Sequence, residues 1–279
     1  MGLASDEFDS FYPEQNSDDG ADAFPVRIQS VADPPPLPPE FDVLYRGMPY
    51  WQVAAFESHR LFRVVPPFVR HRRAVLRIDL DAADGMAAAV PAVSPGAADA
   101  TAHVLNPISH PLDRVLMMYL LSLRGGLLMH AAGLVMSGRG IVCAGRSGAG
   151  KTTLSRLFLE TCGAGGLLCD DRIVVRPDDD GRHRVHGTPW PGDIRLARNE
   201  SAPLQAVLLL EQATEDRLVR LDPNQATRRL LPTLSIPWFD ESVMEHALSA
   251  CRTLLDRVPV YALRFRPTPH VIDLIASIA

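Results

Sequence analysis

The chain has 279 residues, a hydrophobic fraction of 47% and a formal net charge of −5 at pH 7. This length predicts one or two domains, and the hydrophobic fraction is ordinary for a globular protein with a core. The negative charge argues against a nucleic-acid-binding protein, which usually carries a basic patch. The apolar run Val115–Leu123 is too short to cross a bilayer. We therefore expect neither a nucleic-acid partner nor a membrane partner.

The cysteines and the amino-terminal residues indicate a cytoplasmic protein. None of the four cysteines forms a C-x-x-C pair. A disulfide scaffold is not expected in a chain of this size, which fits a reducing compartment. No basic segment followed by an apolar stretch opens the chain, as a secretory signal would require.

The first hundred residues divide into segments of different composition. Residues 1–40 are acidic and then proline-rich, which predicts a disordered tail, and docking of this tail to a partner is the alternative. Residues 41–104 predict a small β-rich module. Short β-like runs occur in it at Phe41–Tyr45, Leu61–Val65 and Ala74–Leu80. The stretch Ala87–Ala102 consists almost entirely of Ala, Pro, Gly, Ser and Val, which predicts a loop or linker.

Residues 105–279 predict an α/β domain. Asp113–Leu123 indicates a buried helix, and Leu127–Met136 and Gly140–Ala144 predict the two strands of a hairpin. Thr152–Thr161 has the apolar spacing of a helix. Later strands are expected around Ile173–Val175, Ala206–Leu210 and Val258–Phe265, and later helices at Asp240–Leu255 and His270–Ile278.

The residues between the second strand and the following helix match the phosphate-binding pattern G-x-x-x-x-G-K-[ST] at every fixed position. This phosphate loop consists of Gly145, Arg146, Ser147, Gly148, Ala149, Gly150, Lys151 and Thr152, and Thr153 follows it. Lys151 is the only lysine in the chain. The glycines allow backbone N–H groups to surround a phosphate, at the positive end of a helix. Lys151 is expected to reach the β- and γ-phosphates, and the Thr152 hydroxyl to bind Mg²⁺.

Phosphoryl transfer also requires a carboxylate, and two places in the sequence supply one. Asp170 and Asp171 follow the apolar residues Leu167–Cys169, and Glu211 follows Ala206–Leu210. Neighbouring carboxylates favour a bound cation or a retained proton. A strand that leaves the core delivers such residues to the sheet edge where ligands bind. An exposed turn is the alternative for the pair, and Glu211 is expected to be an ordinary strand-end residue.

Two histidines lie close to these motifs in the sequence. His130 occurs within the apolar run Leu127–Met136, where a single histidine is more often a core residue than a catalytic one. His186 begins a segment rich in turn-forming residues. The candidate residues of this segment are His186, Gly187, Thr188, Pro189, Trp190 and Asp193. The segment is either a substrate-binding loop or a rigid surface loop, and the residues favour neither.

His130-Ala131-Ala132, the phosphate loop and Cys169-Asp170-Asp171-Arg172 together resemble the catalytic core of the HPr kinase/phosphorylase family. That family is related in fold to the phosphoenolpyruvate carboxykinases. Gly187–Asp193 and Val258–Tyr261 look like the shorter HPr-kinase-like proteins. Some of those proteins serve peptide-maturation clusters, including lasso peptide kinases that phosphorylate a serine on a precursor.

The resemblance covers about residues 113–279 and implies an ATP-dependent serine kinase. It implies an α/β P-loop kinase core of the HPr kinase carboxy-terminal or phosphoenolpyruvate carboxykinase type. ATP and Mg²⁺ would be the cofactors, a peptide or protein carrying a serine would be the acceptor, and a homo-oligomer is compatible with it. His130, Lys151 and Asp171 would be catalytic, with Asp171 as the proton acceptor.

The sequence departs from the family at one metal ligand. The family's Leu-Glu-Ile-Arg-Gly stretch, which contains a glutamate ligand, is absent, so Thr152 would bind the metal together with Asp170 or Asp193. The docking helix for HPr is not recognisable either, which makes HPr a poor candidate acceptor. A nucleotide-hydrolysing regulator, a small-molecule kinase and a module that only binds a leader peptide are the alternative functions.

Overall fold

The computed structural model describes residues 112–279 and, before them, residues 42–47, 51–56, 59–64, 72–79 and 87–93. Contacts divide these residues into two compact units. The first unit contains the described residues up to 120 together with residues 237–241, and the second contains residues 121–236 and 242–279. The predicted disordered tail, residues 1–40, lies outside the described residues.

The first unit contains a five-stranded antiparallel sheet. Its strands are β1 (Asp42–Gly47), β2 (Trp51–Phe56), β3 (His59–Val64), β4 (Arg72–Asp79) and β5 (Ala87–Val93), paired in chain order. The loop predicted over Ala87–Ala102 is therefore wrong at Ala87–Val93, which pairs with β4 from Ile78 to Arg72. Backbone pairing overrides the low strand propensity of alanine there, and Pro91 is tolerated because β5 lies at the edge of the sheet.

A buried polar cluster lies within the first unit. The Asp240 carboxylate, which is only 2% exposed, accepts hydrogen bonds from Arg60 Nε at 2.6 Å and Arg60 Nη2 at 3.1 Å. It also accepts a hydrogen bond of 2.9 Å from the Tyr119 hydroxyl. Burial and the adjacent Asp240 charge raise the pKa of Tyr119 far above its usual range, so the phenol keeps its proton and donates.

The second unit is built on a mixed sheet of eight strands. These are β6 (Leu127–Met136), β7 (Arg139–Ala144), β8 (Leu167–Cys169), β9 (Arg172–Pro177), β10 (His183–His186), β11 (Ser201–Gln212), β12 (Arg217–Arg220) and β13 (Val260–Phe265). The order is β10-β9-β6-β7-β11-β13-β12, and β8 pairs with β6. Strand β11 runs parallel to β7 and β13, and the other pairs are antiparallel. The start of β11 also pairs with β10, so five strands close into a ring.

Helices cover both sides of this sheet. Helix α1 (Leu112–Leu123) belongs to the first unit except for its last three residues. The helices on the sheet are α2 (Lys151–Cys162), α3 (Pro223–Leu230), α4 (Glu241–Arg257) and α5 (His270–Ala276). Alternate residues of β6 enter different apolar clusters. Met129 packs in the cluster that contains residues of α3 and α4, and Leu134 packs in the cluster that contains residues of α2 and α5.

The fold is thus of the mixed α/β class, with a large mixed sheet between layers of helices. The sheet brings the phosphate loop and the Asp170-Asp171 pair into the same unit. Within the part of the chain that the structure describes, no helix is both long enough and apolar enough to span a membrane.

Candidate active site

The β6–β7 hairpin brings His130 to the phosphate loop. Ala131 of β6 pairs with Ala144, the last residue of β7. His130 therefore lies beside the point where the loop begins at Gly145. On the other side of β6, His130 pairs with Arg172 of β9, and the Ala131 N–H donates to the Asp171 carbonyl oxygen at 3.1 Å. Strand β6 therefore lies between the phosphate loop and the two aspartates and fixes their positions relative to each other.

The conformation of the phosphate loop requires its glycines. Gly148 and Gly150 have positive φ angles of 81° and 102°, a region that other residues rarely adopt. A Cβ on Gly150 would also lie 2.8 Å from Cζ of Phe265. Helix α2 begins directly after Gly150, whose carbonyl oxygen accepts the first helical hydrogen bond, from the Leu154 N–H at 2.8 Å. The loop therefore leads into a helix amino terminus, the usual location of a bound phosphate.

Lys151 is folded back against the loop. Its Nζ donates to the carbonyl oxygens of Gly145 at 2.8 Å and Arg146 at 3.2 Å, and the residue is 8% exposed. Burial lowers the pKa of Lys151, while the nearby negative charge of Asp171 acts in the opposite direction. An ammonium group has three N–H donors, so one remains to contact a ligand.

Asp171 is oriented by two donors. Its Oδ1 lies 3.0 Å from His130 Nε2 and accepts a hydrogen bond of 3.0 Å from Arg172 Nη1. Arg172 Nη1 also donates to the Asp171 carbonyl oxygen at 3.1 Å. The His130 side chain is 30% exposed, so it is not the buried core residue that its apolar neighbours favoured. A histidine paired with a carboxylate in this way can share or relay a proton.

Asp170 has different partners from Asp171 and holds a loop. It is 3% exposed, and its two carboxylate oxygens accept hydrogen bonds from the N–H groups of Gly192 at 2.7 Å and Ile194 at 3.0 Å. The same segment is fixed further back, where the Thr188 hydroxyl donates to the Arg172 carbonyl oxygen at 2.7 Å. The segment from His186 to Asp193 is therefore anchored directly to the strand end that carries the two aspartates.

These residues surround a cavity of about 390 Å³, within the range of small-molecule sites. It is lined by His130, Ser147, Gly148, Gly150, Lys151, Thr152, Thr153, Asp170, Asp171, Gly192, Asp193 and Gln212. Of the predicted loop residues, Gly145, Arg146 and Ala149 do not line it. Of the candidate residues in the predicted substrate segment, Asp193 lines the cavity, as does its neighbour Gly192, whereas His186, Gly187, Thr188, Pro189 and Trp190 do not. Trp190 is instead buried.

Two residues at the end of β11 have different roles. Glu211 forms ion pairs with Arg229 Nη1 at 2.7 Å and Arg264 Nε at 2.9 Å and does not line the cavity. This agrees with its interpretation as an ordinary strand-end residue. Gln212 does line the cavity, and sequence reasoning missed it. Side chains alternate between the two faces of a strand, so Gln212 is expected on the opposite face from Glu211. This alternation was the signal in the sequence that could have identified Gln212.

The donor set around the cavity fits Mg²⁺. Thr152, Asp170 and Asp193 offer oxygen ligands, which hard cations prefer, and both Asp170 oxygens keep a second lone pair beyond the N–H groups they accept. Among the described residues, no group of three His, Cys, Asp or Glu side chains could hold a metal ion. That is compatible with Mg²⁺, which usually takes one or two carboxylates together with substrate phosphates and water.

Comparison with known proteins gives a family and a structural resemblance. The family model described as ScmC, SynChlorMet cassette protein ScmC, matches residues 112–268, which is more than half of the chain. The structure of the Hpr(Ser) kinase/phosphatase from Coxiella burnetii is similar over 54% of this chain and 92% of that chain. The identity is 12% and the TM-score is 0.30, which makes this a resemblance only. No curated protein matches the chain.

Proposed function

We propose that this chain, which belongs to the ScmC family of SynChlorMet cassette proteins, is an ATP-dependent kinase that phosphorylates a serine hydroxyl of a peptide or protein. The observation that carries the proposal is the composition of the cavity. Lys151 and the phosphate loop form one part of its lining, and His130 with Asp171 forms another. A phosphate-binding loop and a carboxylate paired with a histidine are the two parts that phosphoryl transfer to a hydroxyl needs.

The phosphate loop would bind the triphosphate of ATP. Backbone N–H groups of residues 145–153 and the remaining N–H of Lys151 would contact phosphate oxygens. Bound Mg²⁺ would neutralise charge on the transferred phosphoryl group. Thr152, with Asp170 or Asp193, would hold it. Lys151 suits this task because its ammonium is a compact charge, whereas the planar guanidinium of arginine occupies more space.

Asp171 would act as the general base. Its carboxylate would take the proton from the acceptor hydroxyl as the hydroxyl oxygen forms a bond to the γ-phosphorus and ADP leaves. His130 and Arg172 hold Oδ1 of Asp171 from two sides, which fixes the direction of the carboxylate. A general base contributes roughly 10²–10⁴-fold to rate when its geometry is held in this way.

The acceptor we propose is a serine of a precursor peptide that belongs to the same cassette as the kinase. The family's description as a cassette protein supports this choice. So does the resemblance of Gly187–Asp193 to the shorter HPr-kinase-like proteins, some of which phosphorylate lasso precursor peptides. Asp193 and Gly192 reach the cavity from that segment, so they would contact the acceptor side of the site.

Incubation with γ-labelled ATP and candidate acceptors tests the proposed function. Label on a serine of a peptide encoded beside this protein is the expected result. Free phosphate without a labelled acceptor would instead indicate a nucleotide hydrolase, and label on a small hydroxy compound would indicate a small-molecule kinase. Tight binding of a peptide without any affinity for ATP would overturn the kinase and favour a binding module.

The role of Asp171 has its own test. Asp171→Asn keeps the size of the side chain but removes its ability to accept the hydroxyl proton. We expect acceptor phosphorylation to fall by about 10²–10⁴-fold, while the dissociation constant of ATP stays near that of the unaltered protein. Asp179→Asn, at an exposed position in the turn after β9, is the matched control. Normal turnover by Asp171→Asn would remove Asp171 from the mechanism.

A further inference from the structure

A polar side chain at the end of β11 lies against the tip of the phosphate loop. Gln212 Nε2 donates a hydrogen bond of 2.9 Å to the carbonyl oxygen of Gly148, 64 positions earlier in the chain. Gln212 also lines the cavity together with Lys151 and Asp171. The phosphate-binding motif does not include this residue, so its place in the site comes from the structure alone.

Gly148 has little packing of its own to hold it. Its φ angle is 81°, and no atom lies within 4 Å of the place where a Cβ would be. Glycine occupies positive and negative φ about equally well, so an unanchored peptide at this position can adopt more than one orientation. The hydrogen bond from Gln212 fixes the direction of the Gly148 carbonyl from outside the loop.

The direction of that carbonyl determines where the next N–H points. In a trans peptide the C=O and the N–H of one unit point in opposite directions. With Gly148 O held by Gln212, the Ala149 N–H points the other way, where it donates to the Arg146 carbonyl oxygen at 3.0 Å. The Gly148–Ala149 peptide is therefore hydrogen-bonded through both its C=O and its N–H, and these two bonds fix the turn from Arg146 to Ala149 at the tip of the loop.

We propose that Gln212 is a positioning residue of the nucleotide site, which fixes the Gly148–Ala149 peptide and so holds the tip of the phosphate loop in the conformation that surrounds the bound phosphates. The inference rests on the proposed function, because it takes the ligand to be a nucleoside diphosphate or triphosphate. It adds that strand β11, and not the motif alone, sets the affinity of the loop for phosphate.

The test measures ATP and ADP dissociation constants on the full chain by calorimetry. Gln212→Ala should raise both dissociation constants by about threefold to tenfold, which corresponds to the net contribution of one hydrogen bond. The midpoint of thermal unfolding should not change. Gln212→Glu has nearly the same shape but cannot donate to a carbonyl and adds a negative charge. It should weaken binding by more than about tenfold. Inorganic pyrophosphate, a probe without the nucleoside, should lose affinity by the same factors.

Gln205→Ala is the matched control, because Gln205 is also on β11 and also hydrogen-bonded, to Arg139 at the surface. It should leave ATP affinity within about twofold of the unaltered protein. ATP binding by Gln212→Ala equal to that of the unaltered protein would overturn this inference and leave the kinase proposal standing. If the unaltered protein binds no ATP, the proposed function itself fails.

Discussion

Lys151 has a position that an arginine does not fit. Its Nζ donates to the carbonyl oxygens of two loop residues, and the residue is largely buried beneath them. A guanidinium is wider, and its five donors lie in a fixed plane, so it cannot occupy the same space between these carbonyls.

Lys151→Arg should therefore abolish phosphoryl transfer although it keeps the positive charge. We expect at least a hundredfold loss of turnover with labelled ATP, because the electrostatic contribution to phosphoryl transfer depends on position. Arg156→Lys, on the exposed side of the same helix, serves as the control and should retain activity. Substantial transfer by Lys151→Arg would show that only the charge matters.

At the level of residues, the sequence predicted the polar contacts that are local and missed those that span the fold. The phosphate loop and Asp170-Asp171 are contiguous runs with recognisable spacing. Their orientation was not predictable, since nothing in two adjacent aspartates indicates that Asp170 faces a loop and Asp171 faces His130. Gln212 was missed because its partner Gly148 lies 64 positions away.

The segment from His186 to Ile194 is held near its end by the carboxylate of Asp170. Asp170 accepts one N–H with each oxygen, and these charge-assisted bonds are stronger than bonds between neutral groups. Gly192 is required there, because a Cβ at this position would lie 2.8 Å from Oδ2 of Asp170.

Asp170→Asn should loosen this segment without removing it. The amide offers one acceptor oxygen, and its NH₂ group would face a backbone N–H, so one donor loses its partner. We expect a loss of roughly 1.5–3 kcal/mol in local stability, seen as faster hydrogen exchange at the amides of Gly192 and Ile194. Asp193→Asn, on the same loop but exposed, is the comparison. Unchanged exchange in Asp170→Asn would show that the segment is held by its other contacts.

Most elements of the second unit were predictable and several were not. The hairpin of β6 and β7, helix α2 and helix α4 have clear periodicity, and the structure confirms them within two residues at each end. Helix α3 was missed although Asp222 caps it with a complete capping box, because its residues Pro223–Leu230 are mostly polar and carry little apolar signal. In the first unit, strand β5 was missed because its alanines resemble a linker.

At the level of the whole molecule, the chain contributes a short piece of its later sequence to the first unit. Residues 237–241 belong to that unit, and Asp240 lies 180 positions after its partner Arg60. Local patterns contain no information on such a contact, and the same holds for the pairing of β10 with β11 that closes the ring of strands. The α/β class followed from local periodicity. The contact between Asp240 and Arg60 and the pairing of β10 with β11 were visible only in the three-dimensional structure.

Asp240→Asn should destabilise the first unit strongly. It removes the carboxylate that pairs with the buried Arg60 and accepts from Tyr119, and breaking one side of a buried pair typically costs about 3–5 kcal/mol. The expected result is a lower midpoint of thermal unfolding, with Glu241→Gln at the adjacent exposed position as control. Tyr119→Phe keeps the Asp240 carboxylate and its pair with Arg60 but removes the hydroxyl that donates to it, and it should lower the midpoint less. Equal midpoints for all three variants would refute the role of the cluster.

The solitary lysine also gives the molecule a single scissile position. A protease that cuts only after lysine has one peptide bond to attack in the whole chain, between Lys151 and Thr152, which would yield fragments 1–151 and 152–279. That bond lies in the first turn of α2, so this turn must unfold locally before it can enter a protease. The cleavage rate therefore reports the opening of the phosphate loop without any label, and a ligand that closes the loop would protect the bond.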